Sequence, residues 1–175
     1  MEKAAAISRH GSILDTEAAL DFVRARPEVD AEQVFMVGQS LGGAVAIVTA
    51  ARRPGQVRGL VVEGAFSSYR EIAWHHVGAN ALTMALAWWY PLMLGDQFDP
   101  IDSVAMVAPT PILIMHGEMD RVVPVRMGRK LFEAAKEPKE LWISEGMDHY
   151  QVWEDDDDEA RRRVLEFFGK AAASE

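Results

Sequence analysis

Short apolar runs alternate along the chain with longer segments in which apolar residues recur three or four positions apart. The short runs are typical of strands buried in a sheet, and the longer segments are typical of helices. The strands are predicted at residues 34–37, 59–63, 111–116 and 140–144. The helices are predicted at residues 12–26, 40–53, 126–135 and 154–170. Strands that alternate with helices indicate a mostly parallel sheet flanked by helices, so the pattern predicts an α/β fold.

Residues with strong end preferences mark the limits of two of these helices. Ser12 followed by Asp15 resembles a capping box for the first helix, which Pro27 would end. In the last helix, acidic residues 155–159 come first and the arginines at 161–163 follow about one turn later. This order suits the helix dipole and allows ion pairs between successive turns.

An uncharged and largely apolar stretch at residues 77–94 interrupts the alternation. It reaches the length of a short membrane span, but it contains Asn80, Thr83 and Pro91. We therefore expect a helical lid or cap over a pocket, inserted at residues 66–100. Membrane contact by this stretch is the less favoured alternative.

Composition narrows the class of protein. The 175 residues are 49% hydrophobic, which suffices for the core of one domain at residues 1–175, and carry a net charge of −9. An acidic surface disfavours nucleic acid and anionic membranes as partners. The sequence has no cysteine, which excludes disulfides, thiolate zinc sites and a cysteine nucleophile. The first ten residues lack the apolar core of a signal peptide, so a cytoplasmic location is expected.

The motif with the clearest chemistry is Gly-Gln-Ser-Leu-Gly at residues 38–42. A G-x-S-x-G sequence between a buried strand and a helix predicts a nucleophile elbow, a sharp turn that exposes a serine. Side chains at Gly38 and Gly42 would collide with nearby backbone, so glycine is expected at both. Ser40 is the predicted nucleophile, and the backbone N–H of Leu41 at the helix start can stabilise an oxyanion.

A serine nucleophile needs a base, and the base needs an acid to orient it. In this kind of fold the acid and then the histidine follow the serine along the chain. Asp120, just past the third strand, is the predicted acid, with Glu118 of the same loop as the alternative. His149, just past the fourth strand, is the predicted base. For His116, which ends the third strand, a structural hydrogen bond is expected.

Residues 12–168 resemble the C-terminal portion of a serine α/β-hydrolase, closest to the Bem46-like and prolyl-oligopeptidase-like or serine aminopeptidase-like groups. The matching segments are DTEAALDF at 15–22, VGQSLGGA at 37–44, EGAFSS at 63–68, PILIMHG at 111–117, DRVVP at 120–124 and GMDH at 146–149. The resemblance implies Ser40 as nucleophile, Asp120 as acid and His149 as base. It implies hydrolysis of an ester, thioester or peptide-like bond of a small acyl substrate, with no metal or cofactor.

The chain departs from complete members of that family because it lacks their N-terminal strands. Those strands supply the second oxyanion N–H and one wall of the pocket, so a partial α/β-hydrolase fold is expected. Without neighbouring strands, the strand from Val34 to Val37 would be a bare apolar edge, which predicts self-association.

Two other functions stay open from the sequence. The chain could be a non-catalytic remnant that acts as a binding or structural module, because the oxyanion wall is missing. It could also bind membranes through Trp88 and Trp89, although these aromatics fit an acyl pocket or the underside of a lid better.

Overall fold

The computed structural model describes residues 8–79, 81–95, 97–149, 151–154 and 158–174. Four strands and eight α-helices occur in these residues, with two short 3₁₀ turns. In chain order they are α1 Arg9–Arg24, β1 Phe35–Gln39, α2 Leu41–Arg52, β2 Gly59–Glu63, α3 Tyr69–Val77, α4 Ala81–Ala87, α5 Tyr90–Met93, α6 Pro100–Ser103, β3 Ile112–Gly117, α7 Val125–Ala134, β4 Lys139–Ser144 and α8 Glu159–Ala173. The predictions made for residues 1–7, for Asn80 and for the acidic residues 155–157 lie outside the described residues.

The sheet is parallel throughout and has the strand order β1-β2-β3-β4. All residues of β2 and β3 are buried, as expected for strands that are covered by helices on both faces. The predicted mostly parallel sheet flanked by helices is confirmed. The predicted strand limits differ from the observed ones by no more than two residues.

Two apolar clusters cover the two faces of the sheet. Side chains of α2 and α7 pack with Leu60, Val62 and Ile114 on one face. Side chains of α8 pack with Val61 and Met115 on the other. The alternation of Leu60, Val61 and Val62 between these clusters follows from the two-residue period of a strand.

Helix α1 begins earlier than the sequence suggested. Its N-cap is Ser8, whose side-chain oxygen accepts a hydrogen bond from the Gly11 N–H at 3.0 Å. Ser12 lies inside the helix and donates to the Ser8 carbonyl, so the capping box predicted at Ser12 and Asp15 was wrong. Ser8 offers the same capping chemistry one turn earlier, and the helical spacing of the apolar residues does not distinguish the two starts.

Strand β1 lies at one edge of the sheet, and within the described residues no strand pairs with its outer side. The side chain of Val37 is 52% exposed. A groove of about 450 Å³ runs along this edge, between α1 and the start of α2. Of the residues expected to form a bare apolar edge, Val37 is exposed, Phe35 and Met36 are half-buried and Val34 is buried, so the described edge is bare only in part.

The segment predicted as a lid at residues 66–100 contains three short helices, α3, α4 and α5. Trp88 and Trp89 are 53% and 51% exposed. The described helices include none with the length and apolar character needed to cross a bilayer. That this segment covers a pocket stays a prediction.

Candidate active site

Ser40 occupies the turn between β1 and α2 with a strained backbone. Its φ and ψ angles are 52° and −119°, a conformation that a side chain disfavours. The Ser40 N–H donates to the Glu63 carbonyl at 2.8 Å, which ties the turn to the end of β2. Strain held by the surrounding structure is the feature expected of a nucleophile elbow.

The glycines around Ser40 have different roles. A Cβ atom on Gly38 would lie 2.5 Å from the Gly42 carbonyl oxygen, and one on Gly43 would lie 3.0 Å from the Gly38 oxygen. A Cβ atom on Gly42 would meet no described atom within 4 Å. The predicted steric need for glycine is met at Gly38, but it was wrong for Gly42. Gly43, which the sequence pattern did not single out, makes the close approach instead.

Leu41 is the first residue of α2, so its N–H has no acceptor within the helix. This N–H lies directly after the Ser40 turn, at the positive end of the helix dipole. Its position suits stabilisation of an oxyanion next to Ser40.

Asp120 follows β3 and is held by hydrogen bonds to both carboxyl oxygens. Oδ1 accepts from the Val122 and Val123 N–H groups at 2.9 and 2.7 Å. Oδ2 lies 2.6 Å from Nδ1 of His149 and 3.2 Å from Nε2 of His116. Burial opposes ionisation, but the bonds from His116, His149 and the Val123 N–H outweigh it and hold the pKa of Asp120 far below its ordinary value. Asp120 is therefore a carboxylate at neutral pH.

His149 is 1% exposed, so it is not a surface histidine. Its Nδ1–H donates to Asp120, which leaves Nε2 as the nitrogen for proton transfer. The hydrogen bond and charge of Asp120 raise the pKa of His149. Gly64 lies directly after β2 with φ of 58°, and a Cβ atom there would be 2.9 Å from Cε1 of the imidazole. Glu63, the residue before Gly64, accepts a hydrogen bond from the Ser40 N–H. The contact between Gly64 and the imidazole therefore places His149 at the sheet edge that carries Ser40.

The loops that carry Asp120 and His149 are joined by backbone hydrogen bonds. The Met119 N–H donates to the Met147 carbonyl at 2.9 Å. Gly117 permits this approach because a Cβ atom there would overlap the Met147 oxygen. Asp148 accepts hydrogen bonds from the Arg121 N–H at 3.0 Å and from the Arg121 side chain at 2.7 Å. The acid and the base are thus held by one network.

Glu118, the alternative acid, is not brought to His149. Its side chain is exposed and accepts a hydrogen bond from the Gly146 N–H at 3.1 Å. His116 makes the structural bond expected of it, with Nε2 donating to the Val123 carbonyl at 2.7 Å. The additional contact between His116 and Asp120 was not foreseen, although their spacing of four residues around a tight turn is compatible with it.

The sequence pattern also gave no role to Glu63, which ends an otherwise apolar strand. Its side chain is fully buried. A charged residue type at the carboxyl end of a buried strand was the available signal, because ligand and catalytic groups gather at that edge of a parallel sheet.

The family model described as the prolyl oligopeptidase family matches residues 9–175. YfhR from Salmonella typhi is 31% identical over 157 residues, and the alpha/beta hydrolase domain-containing protein WAV2 from Arabidopsis thaliana is 28% identical over 158 residues. Each alignment covers 83% of this chain and 50% of the relative. The chain thus spans about half the length of these curated relatives.

Solved structures with the α/β-hydrolase fold are similar to this chain. The α/β hydrolase GrgF from Penicillium sp. sh18 has a TM-score of 0.74 at 19% identity, covering 96% of this chain and 74% of that one. Acetyl xylan esterase 1 from Thermoanaerobacterium sp. has a TM-score of 0.69 at 21% identity, covering 91% of this chain and 52% of that one. At such identities the similarity shows the fold.

Proposed function

The chain belongs to the prolyl oligopeptidase family, and we propose that it is a serine hydrolase that cleaves an ester, thioester or peptide-like acyl bond. Ser40 is the proposed nucleophile, His149 the base and Asp120 the acid. The family belongs to a hydrolase superfamily that includes esterases and peptidase-like enzymes. Beyond membership of this family, we propose that the chain itself catalyses hydrolysis, that it does so with this triad, and that the reaction passes through an acyl-enzyme.

The observation that carries the proposal is the buried bond between Asp120 and His149. Its length of 2.6 Å and the ionised acid fix the tautomer in which Nε2 of His149 can accept a proton. A buried histidine with a raised pKa at the sheet edge of a strained serine is the arrangement that base-assisted nucleophilic attack requires.

The proposed reaction has two halves. As the Ser40 oxygen attacks the acyl carbon, its proton passes to Nε2 of His149 and the carbonyl oxygen becomes an oxyanion near the Leu41 N–H. The imidazolium then gives the proton to the leaving group, and the acyl group stays on Ser40. Water activated by His149 attacks the acyl-enzyme, releases the acid and restores the serine. Asp120 stays ionised and stabilises the imidazolium in both halves.

Turnover of p-nitrophenyl esters tests this proposal. We expect hydrolysis of the acetate ester by the chain and loss of that hydrolysis in Ser40→Ala. Glu118→Gln is the matched control, because it alters an exposed carboxylate on the Asp120 loop. Comparison of acetate, butyrate and octanoate esters reports whether the apolar segment at residues 66–100 favours long acyl groups. Equal turnover by the chain and by Ser40→Ala would contradict the proposal.

A second candidate is a non-catalytic binding or structural module. In the described part of the chain no strand pairs with the outer side of β1, which favours this candidate because part of the pocket wall would have to lie there. A folded chain that turns over none of the esters would select this function.

We also propose a cytoplasmic location for the chain. A sequence with no cysteine is compatible with a reducing compartment. Cell fractionation of a tagged protein tests the location, and recovery in a membrane or secreted fraction would contradict it.

A further inference from the structure

A second carboxyl group, that of Glu63, lies buried beside the proposed acid and base and has no part in the mechanism above. Glu63 ends β2, and its register partners are Gln39 of β1 and Met115 of β3. Because residues two apart share a face of a strand, its side chain lies on the face of Val61, which α8 covers.

Glu63 is connected to the segments that carry the nucleophile and the base. Its carbonyl accepts the Ser40 N–H at 2.8 Å. The next residue, Gly64, packs directly against the imidazole of His149. Trp153, in the short turn that follows His149, packs against the same face of the sheet as Glu63. The backbone around Glu63 is thus joined to the segments of the nucleophile and the base, and the charges of its carboxyl group and of His149 interact.

The carboxyl group of Glu63 has only weak polar partners. Neither oxygen makes a hydrogen bond of ordinary geometry with a described residue, although interactions with Gln39 and Trp153 favour the ionised form. Burial raises the pKa of Glu63, and nearby polar groups of Gln39 and Trp153 and the charge of His149 only partly oppose that rise. A buried polar group without hydrogen bonds is rare in folded proteins and calls for an explanation.

We propose that Glu63 is a positioning residue that acts through His149: once ionised, it increases the basicity of the imidazole and stabilises the imidazolium formed during catalysis. The proposal rests on the proposed function, in which His149 is the base. The mutual attraction between the two groups raises the pKa of His149 in addition to the larger effect of Asp120. Glu63 takes no proton from the substrate.

The other titratable groups around His149 are the same in the parent and in a Glu63 variant. Asp120, from the loop after β3, and Asp148 are both ionised at neutral pH. The pKa of Asp148 is lowered mainly by the hydrogen bond from the Arg121 N–H. His116 of β3 is connected to the site by its contact with Asp120. The part of α8 that packs on this face is apolar. A difference between the parent and a Glu63 variant therefore reports Glu63 itself.

An NMR titration of the His149 imidazole nitrogens tests the coupling without turnover. In Glu63→Gln we expect the apparent pKa of His149 to fall, because the attraction of the Glu63 carboxylate for the imidazolium is removed. Glu17→Gln is the control, since Glu17 is also a buried carboxylate but pairs with Arg52 in the α1–α2 region. An unchanged His149 pKa in a folded Glu63→Gln protein would overturn the proposal.

Glu63→Asp is the second variant, and it keeps the charge one methylene further back. We expect a smaller fall in the His149 pKa than in Glu63→Gln. If the glutamine variant does not fold, the aspartate variant tests the coupling between Glu63 and His149. If Glu63→Gln does not fold, a His149 pKa in the folded Glu63→Asp protein equal to that of the parent would overturn the proposal.

The rate of labelling by a fluorophosphonate against pH gives the catalytic readout. His149 must be neutral to act as base, so the rate rises with pH through its pKa. In Glu63→Gln we expect this rise at lower pH and a lower plateau, whereas a purely structural role would lower the plateau alone. No labelling of the parent at any pH would refute the proposed function, while the NMR titration would still decide whether Glu63 and His149 are coupled.

Discussion

Replacing Asp120 by asparagine removes the charge that orients and stabilises His149. The carboxylate accepts two backbone N–H groups through Oδ1, and Oδ2 faces the ring nitrogens of His149 and His116. In Asp120→Asn the amide oxygen can still accept the backbone bonds. Its NH₂ group then faces ring nitrogens that are themselves donors in the parent. His149 is expected to respond by moving its proton from Nδ1 to Nε2.

The size of the effect follows from that tautomer change. Protonated Nε2 cannot accept the proton of Ser40, so the base is lost although every side chain keeps its place. In serine hydrolases with this arrangement the change lowers kcat by about 10⁴-fold, which corresponds to about 5.4 kcal/mol of transition-state free energy. The pKa of His149 also falls, because Asp120 is the main cause of its rise.

Ester turnover and His149 titration are the two assays for Asp120→Asn. Glu118→Gln is the control, since that exposed carboxylate belongs to the same loop and binds the Gly146 N–H. We expect the control to retain turnover within a few-fold of the parent, with an unchanged His149 titration. Equal losses in the two variants, or a folded Asp120→Asn protein with parental turnover, would refute the reasoning.

Three further predictions follow from the structure. Gly38→Ala is expected to lower the free energy of unfolding by about 1–3 kcal/mol through overlap with the Gly42 carbonyl. Gly42→Ala should change the free energy of unfolding by no more than about 0.5 kcal/mol. Urea unfolding measures both variants, and equal effects would contradict the close approach of Gly38 to Gly42. Val37→Lys places a charge on the bare edge strand and should reduce self-association in sedimentation velocity, and a parent that is monomeric at high concentration would remove the basis for this prediction. Folding lowers the pKa of Asp120, so the stability that its carboxylate contributes is present above about pH 4 and is lost on acidification. The parent should therefore lose more stability than Asp120→Asn between about pH 5 and pH 2. Parallel losses in the urea midpoints of the two proteins would contradict this prediction.

Local pattern was enough to predict the sheet and the chain positions of the site. Buried parallel strands have continuous apolar runs, so β2 was located to the residue and the others nearly so. The Gly38 to Gly42 motif marks a strand-to-helix turn, and backbone sterics require glycine at position 38. Asp120 and His149 follow strands whose carboxyl ends share one edge, so their approach was expected from the order of strands and loops along the chain.

Features that depend on contacts between distant segments could not be predicted in this way. The selection of Ser8 over Ser12 as a cap depends on where α1 meets the rest of the fold. The burial of Glu63 depends on α8 and on the segment after β4, nearly ninety residues further along the chain. The need for glycine at position 43 rather than 42 depends on how closely α2 approaches β1 and the residue at 65. Periodicity and spacing contain none of these distances.

The most direct test of the central claim is a reaction of the purified chain with a fluorophosphonate, followed by intact mass and peptide mapping. The probe bonds only to an activated serine, so it reports the assembled triad rather than the motif. We expect one added phosphonyl group, located on Ser40, with none on Ser40→Ala and a much slower reaction in Asp120→Asn. A chain shown to be folded by circular dichroism that gains no phosphonyl group, or gains it at another serine, would contradict the account.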